Sequence, residues 1–458
     1  MSFGVVKLRS ENPQRAKSTP PVFSLVCLAK STILFQTDLC LKKGMSEKME
    51  LKTNYNYSYF IYPYIIKEDK YKKYIFKLLN DKKINIKFFD IQKDIEIYNY
   101  FLPQIKEYMF STFGFMDKDK RGFDKLDLKL KTNILSNYPC IMFEYNLEKD
   151  IQAKAGEESG IFFNVSKIEL ICFKTGICFL CIKTSIEGSK YFGDLLNFNY
   201  KFRDINNNLK YKDYENIKLQ TDTFQDSKNI SEIIRDITWS NIDSSKNIDI
   251  NTNRFYTYSY ACLDQEYWKT EEDFEKIKKD FYKYANVLSN DFNSNFENEN
   301  LKEVNLGKYI KIGISNLSCN LLTSSVNSVN YTNLPYKHEN QYFYTYIISL
   351  YKKIYLKKIL HDFKKEKTII KARREFINFT NDIWINEITN NDNGKLINKN
   401  MIELLELEKL YEITKREYDI AYRELNVNKS LKMNNYLIIV LVISIIINIM
   451  TFIAIIQK

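Results

Sequence analysis

Three polar side chains set in an otherwise apolar run are the residues of this chain best placed to meet a ligand where water is scarce. Ser444, Asn448 and Thr451 stand four and then three residues apart, so on a helix they share one face. In lipid, hydroxyls and an amide turn toward a partner helix or toward water. They could face water or join neighbouring helices, and both readings stand.

Other constellations are thinner. Cys178 and Cys181 form a C-x-x-C within Ile177-Cys178-Phe179-Leu180-Cys181-Ile182; on a strand, residues three apart point to opposite faces and cannot share a metal. Only two histidines occur. His338, beside Pro335 and Glu339, is expected in a loop, and His361, before Asp362, on a Lys-rich helix. Both are expected at the surface or on a helix face, and neither assembles a Ser/His/Asp grouping or an H-E-x-x-H. Twelve glycines leave no G-x-G-x-x-G and no P-loop text. The pairs Glu157-Glu158 and Glu271-Glu272-Asp273 read as solvated faces or helix N-terminal charges. No catalytic, cofactor-binding or metal-ligating residue is assigned, and the chain is not expected to be an enzyme.

The element carrying the polar face is residues 436–456, YLIIVLVISIIINIMTFIAII, twenty-one residues without a charge. At about 1.5 Å per residue the run covers roughly 31 Å, the thickness of a bilayer's hydrocarbon core. A single-pass transmembrane helix is expected, with only Gln457 and Lys458 beyond it. Arg423, Lys429 and Lys432 precede the span and Lys458 alone follows, which places the large N-terminal part in the cytoplasm of a cell-membrane protein. Eight scattered cysteines in so large a chain agree with a reducing compartment.

Composition narrows the partners. The chain has 458 residues, 45% hydrophobic and 27% charged, enough for two or three packed units. Of its net charge of +11, five charges lie in residues 1–48, which hold eight Lys or Arg against three Asp or Glu. The rest favours a membrane surface over nucleic acid, for which no single element shows clustered basic residues. That leader also contains Pro13, Pro20 and Pro21 but none of the 34 Tyr. It is expected to be disordered, or an artefact of a translation start at Met45 or Met49.

From residue 55 strand-like and helix-like runs alternate: 59–66 extended, 69–80 helical, 84–89 extended, 92–110 helical, broken or kinked at Pro103. A strand at 140–145 follows, then a hairpin of 167–173 and 177–184 around Lys174-Thr175-Gly176. Helix is expected over 191–202, a loop over 204–230, strand over 254–263 and helix over 271–288, with an Asn/Glu-rich linker at 290–300. The fold class is α+β or α/β, a mixed sheet with helices over residues 50–335. A helical stalk over 336–435 follows, with one helix at 342–378, a break at 390–394 and a second helix from residue 400 into the membrane. Leu404, Leu407, Tyr411, Thr414, Tyr418, Ala421 and Leu425 make a coiled-coil-like series. It packs either on the helix of 342–378 within one subunit or on its counterpart in a homo-oligomer.

A cytoplasmic α/β domain, paired helices and a long final helix entering the membrane resemble the CorA-type magnesium channel family. The hairpin text from Ile168 to Leu180, the run Asp194-Leu195-Leu196-Asn197-Phe198 and the approach segment 404–435 carry the likeness. It implies an oligomeric membrane protein with magnesium as a transported or regulatory ion, a regulatory ion taking carboxylates at subunit contacts, and with the Ser444/Asn448/Thr451 face around a central axis where hydroxyls and an amide could touch a hydrated ion. The family's Gly-Met-Asn and second membrane helix are absent from this sequence, and Lys432-Met433-Asn434 precedes the span, so no selectivity role is carried onto it. The alternative function is a non-transporting, tail-anchored sensor or effector whose cytoplasmic domain binds a ligand or partner.

Overall fold

The computed structural model describes residues 50–114, 122–147, 151–155, 161–205, 218–219, 228–238, 248, 250, 253–292, 301–385 and 387–456. Contact density divides the chain after Glu50. The leader, Glu157-Glu158 and most of the 204–230 and 290–300 segments lie outside the described residues.

Twelve described strands join one mixed sheet. They are β1 (Thr53–Ile65), β2 (Ile84–Ile86), β3 (Cys140–Tyr145), β4 (Ile151–Ala155), β5 (Ile161–Phe173), β6 (Ile177–Ile186), β7 (Lys218–Leu219), β8 (Lys228–Asn229), β9 (Tyr256–Leu263), β10 (Lys302–Gly307), β11 (Ile310–Ser315) and β12 (Ser318–Ser324). The order is β10-β11-β12-β9-β1-β6-β5-β4-β7-β8, with β3 also on β5 and β2 on β3. Among the described strands only the β12–β9 pairing is parallel. The expected hairpin is β5 and β6, and its turn needs Gly176: φ is +84°, and a Cβ there would lie 2.2 Å from the Ile66 carbonyl oxygen.

Aromatic and β-branched residues alternate across the central strands, so both faces are buried. One face carries Tyr57, Tyr59, Ile171, Phe179, Cys181, Tyr258 and Tyr260. The other carries Phe60, Tyr62, Leu170, Cys178 and Leu180, covered by α1 (Glu68–Asn80) through Tyr71, Tyr74, Ile75 and Leu78. Farther along the sheet α2 (Phe192–Phe202) and α3 (Asp273–Asn286) pack around Trp268. The two thiols of the C-x-x-C therefore fall in different cores, as strand geometry requires.

The first face is covered by a helical layer: α4 (Val329–Lys337), α5 (Phe343–Phe363), α6 (Ile369–Asp382), α7 (Asp392–Leu404) and α8 (Leu407–Ile456). Sixteen of the 21 residues of α5 are buried, because it lies between the sheet and α6, α7 and α8.

Several expected boundaries are corrected. The helix expected over 342–378 is two helices, since after Phe363 the Thr368 hydroxyl donates to the Asp362 carbonyl and closes a short turn. The helix expected from residue 400 breaks at Leu405–Glu406, where Glu406 takes a left-handed φ of 52°. Neither break carries a Gly or Pro, the residues that signal a stop. The expected 92–110 run starts only at Ile95 and takes the broken form at Pro103, as Ile95–Tyr100 followed by Pro103–Met109. The meander β10–β12 is not foreseen at all. The break at 390–394 does mark a helix start, where the Asn391 side chain caps the Gly394 amide at 2.9 Å.

α8 is 50 residues long. Its C-terminal part is, by length and a mean hydropathy of 2.8, a candidate membrane span.

Candidate functional site

A cluster of buried polar and charged side chains lies where α4 meets α5. Pro335 inside α4 lacks the amide that a helix interior uses. Three residues on, the winding loosens into a π-turn, His338–Tyr342, a feature often found at functional sites. The turn drops His338 and Glu339 onto β9, β1 and β6. Strand register puts Lys167 beside Lys183, and Lys183 beside Tyr59, which lies next to Tyr258.

At the β1–β9 end, His338 is fully buried and stacked on Tyr258 with ring centroids 4.1 Å apart. Its Nδ1 lies 2.9 Å from the Tyr57 hydroxyl, which donates to the Pro335 carbonyl at 3.0 Å. With that donation made, the ring's proton is assigned to Nδ1, and Nε2 is left as a bare lone pair without a partner. Burial, with Lys183 nearby, holds the imidazole well below its ordinary range, so it is neutral. This corrects the expected surface loop for His338: periodicity could not show that the residues before α5 continue its helix into the core. His361 lies near the end of α5 and is partly exposed.

Glu339 forms the next link. Its carboxylate accepts from Lys183 and from the Tyr59 hydroxyl, each at 2.6 Å. Against the cost of burial, Lys183 holds its carboxyl below the ordinary range. Lys183 also sits 4.7 Å from the centre of the Tyr57 ring.

At the β5 end, Glu169 is 1% exposed. It accepts from Lys87 and from the Tyr344 hydroxyl at 3.1 Å each, and Lys167 stands 3.6 Å away. Burial alone would raise its carboxyl, yet Lys167 and Lys87 outweigh that and hold it below its ordinary value. Lys87 also reaches Glu144 at 3.2 Å. Glu144 is the outer member, its side chain 41% exposed.

Three ammonium groups and three carboxylates are thus matched across β3, β5 and β6, in a band that Tyr59 and Tyr258 continue onto β1 and β9. Lys87, Lys167, Glu169 and Glu339 are each held further into the charged state, so none of these four is poised to exchange a proton near neutral pH. The band can position its own elements. At Glu144 and Lys167 it can also offer an anion beside a cation to a polar ligand or a partner's backbone. Sequence reasoning missed the whole cluster. The available signal was Lys167-Ile168-Glu169 inside a buried strand, where a carboxylate facing the core needs partners from elsewhere.

The sequence-expected site residues lie apart from this cluster, on α8 and the end of α7. Leu404, Leu407, Thr414 and Ala421 are buried, and Tyr411 and Tyr418 pack partly buried against the core. Tyr411 stacks on Trp384 at 4.4 Å and Tyr418 lies 5.3 Å from Phe376. The series to Ala421 therefore packs on α5 and α6 of its own chain, and Leu425 is half-buried at its end. Ser444, Asn448 and Thr451 are exposed. The Thr451 hydroxyl donates to the backbone carbonyls of Ile447 at 3.0 Å and Asn448 at 2.8 Å.

No family model, no curated protein and no solved structure matches this chain.

Proposed function

We propose that the chain is a membrane-anchored protein whose α/β domain stands at the bilayer surface and binds a ligand or protein partner there, without itself conducting ions. The observation that carries this reading is the bare apolar end of α8. Its large apolar side chains from Tyr436 to Ile456 are between 48% and 72% exposed. A rod of that kind is untenable in water and satisfied in lipid, where a helix needs no outside hydrogen-bond partner. Arg423, Lys429 and Lys432 ahead of the span favour the cytoplasmic side for the domain. The stripe from Leu404 to Ala421 is occupied within the chain, which supports an anchored domain over stalk-driven assembly. The test is Ile446→Arg, a charge at mid-span costing about 2.5–3.5 kcal/mol. It should move a measurable share of the chain from the membrane pellet to the soluble fraction; unchanged partition would count against the reading.

Divalent-cation transport by a homo-oligomer, the activity implied by the CorA-type resemblance, is the second reading. Ser444 and Asn448, exposed on one face of α8, favour it. Magnesium uptake into liposomes that Asn448→Leu abolishes would support it, and absence of uptake by the unaltered chain would reject it.

A further inference from the structure

We propose that the turn between α5 and α6 is a second membrane contact, docking on the anionic headgroups of the bilayer that holds α8. The inference rests on the anchoring proposed above.

Its geometry follows from aromatic pairings between α6 and α8. Tyr411 lies against Phe379 and Trp384, Tyr418 against Phe376, and Tyr422 beneath the Arg373 guanidinium at 5.0 Å. As α8 advances toward the span, its partners on α6 run backward in sequence. The two helices are antiparallel, and the start of α6, with the turn before it, is the end of the domain nearest the membrane. With Arg373 level with Tyr422, the turn at Lys367 stands level with about residue 428 of α8. At about 1.5 Å per residue it lies roughly 12 Å from the start of the span. Headgroups fill about 5–8 Å of that gap, and the remainder is on the order of one Debye length.

The chemistry of the turn suits that position. Lys364, Lys365 and Lys367 are exposed, as is Arg374 one turn into α6. Among them stands Ile370, at 65% the most exposed large apolar side chain among the described residues outside α8. Exposed cations around a protruding aliphatic residue fit a surface that is anionic outside and apolar beneath. Lys371 is held by Glu68 and Glu375 and is left out of the contact. Glu366 within the turn itself, Asp362 and Glu375 are the other acids near it; Glu375 is engaged by Lys358 at 2.8 Å, and Lys364, Lys365 and Lys367 outnumber Glu366. On α8, Lys429 and Lys432 continue the basic surface toward the span.

The experiment is amide hydrogen exchange of the full chain in nanodiscs of phosphatidylcholine, with and without phosphatidylserine. Exchange over residues 364–371 should slow several-fold only in the discs containing phosphatidylserine. The triple substitution Lys364→Glu, Lys365→Glu, Lys367→Glu should abolish that slowing, and Ile370→Ser should reduce it, with exchange over 436–456 unchanged in both. Equal exchange of the turn in the two lipids, with 436–456 protected, overturns this inference alone. So does equal slowing by soluble glycerophosphoserine in phosphatidylcholine discs, which would indicate a free-phosphate site. Loss of protection over 436–456 overturns it together with the anchoring on which it rests.

Discussion

The Tyr57 hydroxyl lies 2.9 Å from His338 Nδ1, while Nε2 of the same ring meets no polar partner. A neutral imidazole is thereby fixed between a sheet and the first turn of the helical layer. Its depressed proton affinity links folding to pH. Folded, the ring stays neutral well below 6.5, whereas unfolded it takes up a proton near that value. The stability it contributes is present above that pH and lost as pH falls, by up to about 1.4 kcal/mol per pH unit. Urea midpoints between pH 7.5 and pH 5 should fall in the unaltered protein and fall less in His338→Phe. Parallel curves would show that another group carries the acid sensitivity.

Lys352 sits at the opposite limit. It is buried within α5, donates to the Ile385 carbonyl at 2.9 Å, and has its ammonium pushed down to about 8 by burial. The unfolded chain binds more protons between that value and 10.5, so stability should rise with pH across this window. Lys352→Met should stabilise the domain at neutral pH by about 2 kcal/mol, the relief of burial less one lost hydrogen bond. Thermal denaturation reads it, and a lowered Tm would contradict it.

Glu169 is the hub of the buried ion pairs. Glu169→Gln leaves Lys87 and Lys167 short of a counter-charge and should cost about 3–5 kcal/mol. Pairing Glu169→Leu with Lys87→Met should cost less than Glu169→Leu alone. A double-mutant cycle in urea decides this, and strict additivity would contradict the coupling.

Gly176→Ala combines a positive φ with a Cβ set against the Ile66 carbonyl. A loss of at least about 2 kcal/mol is expected. An unchanged urea midpoint would show that the β5–β6 turn relaxes freely.

Local signals read well where chemistry and period agreed. β3, the β5–β6 hairpin, α2 and β9 followed from β-branched alternation, a Gly-ended turn and amphipathic spacing. The breaks at 364–368 and 405–406 were illegible, because a Thr368 side-chain bond and a left-handed Glu406 do the work that Gly or Pro usually does. The site was hidden for a related reason. Lys87, Glu169, Lys183 and Glu339 are far apart in sequence, and only the sheet register with the π-turn brings them together. His338 looked like a loop residue because Pro335 reads as a helix stop, whereas here the helix absorbs it by widening into the π-turn.

Membrane anchoring through α8 is tested most directly by expressing the full chain, washing the membranes with alkaline carbonate and floating them on a sucrose gradient. The account expects the chain to rise with the vesicles and to leave them only when detergent is added. A chain that stays at the bottom of the gradient without detergent would contradict it.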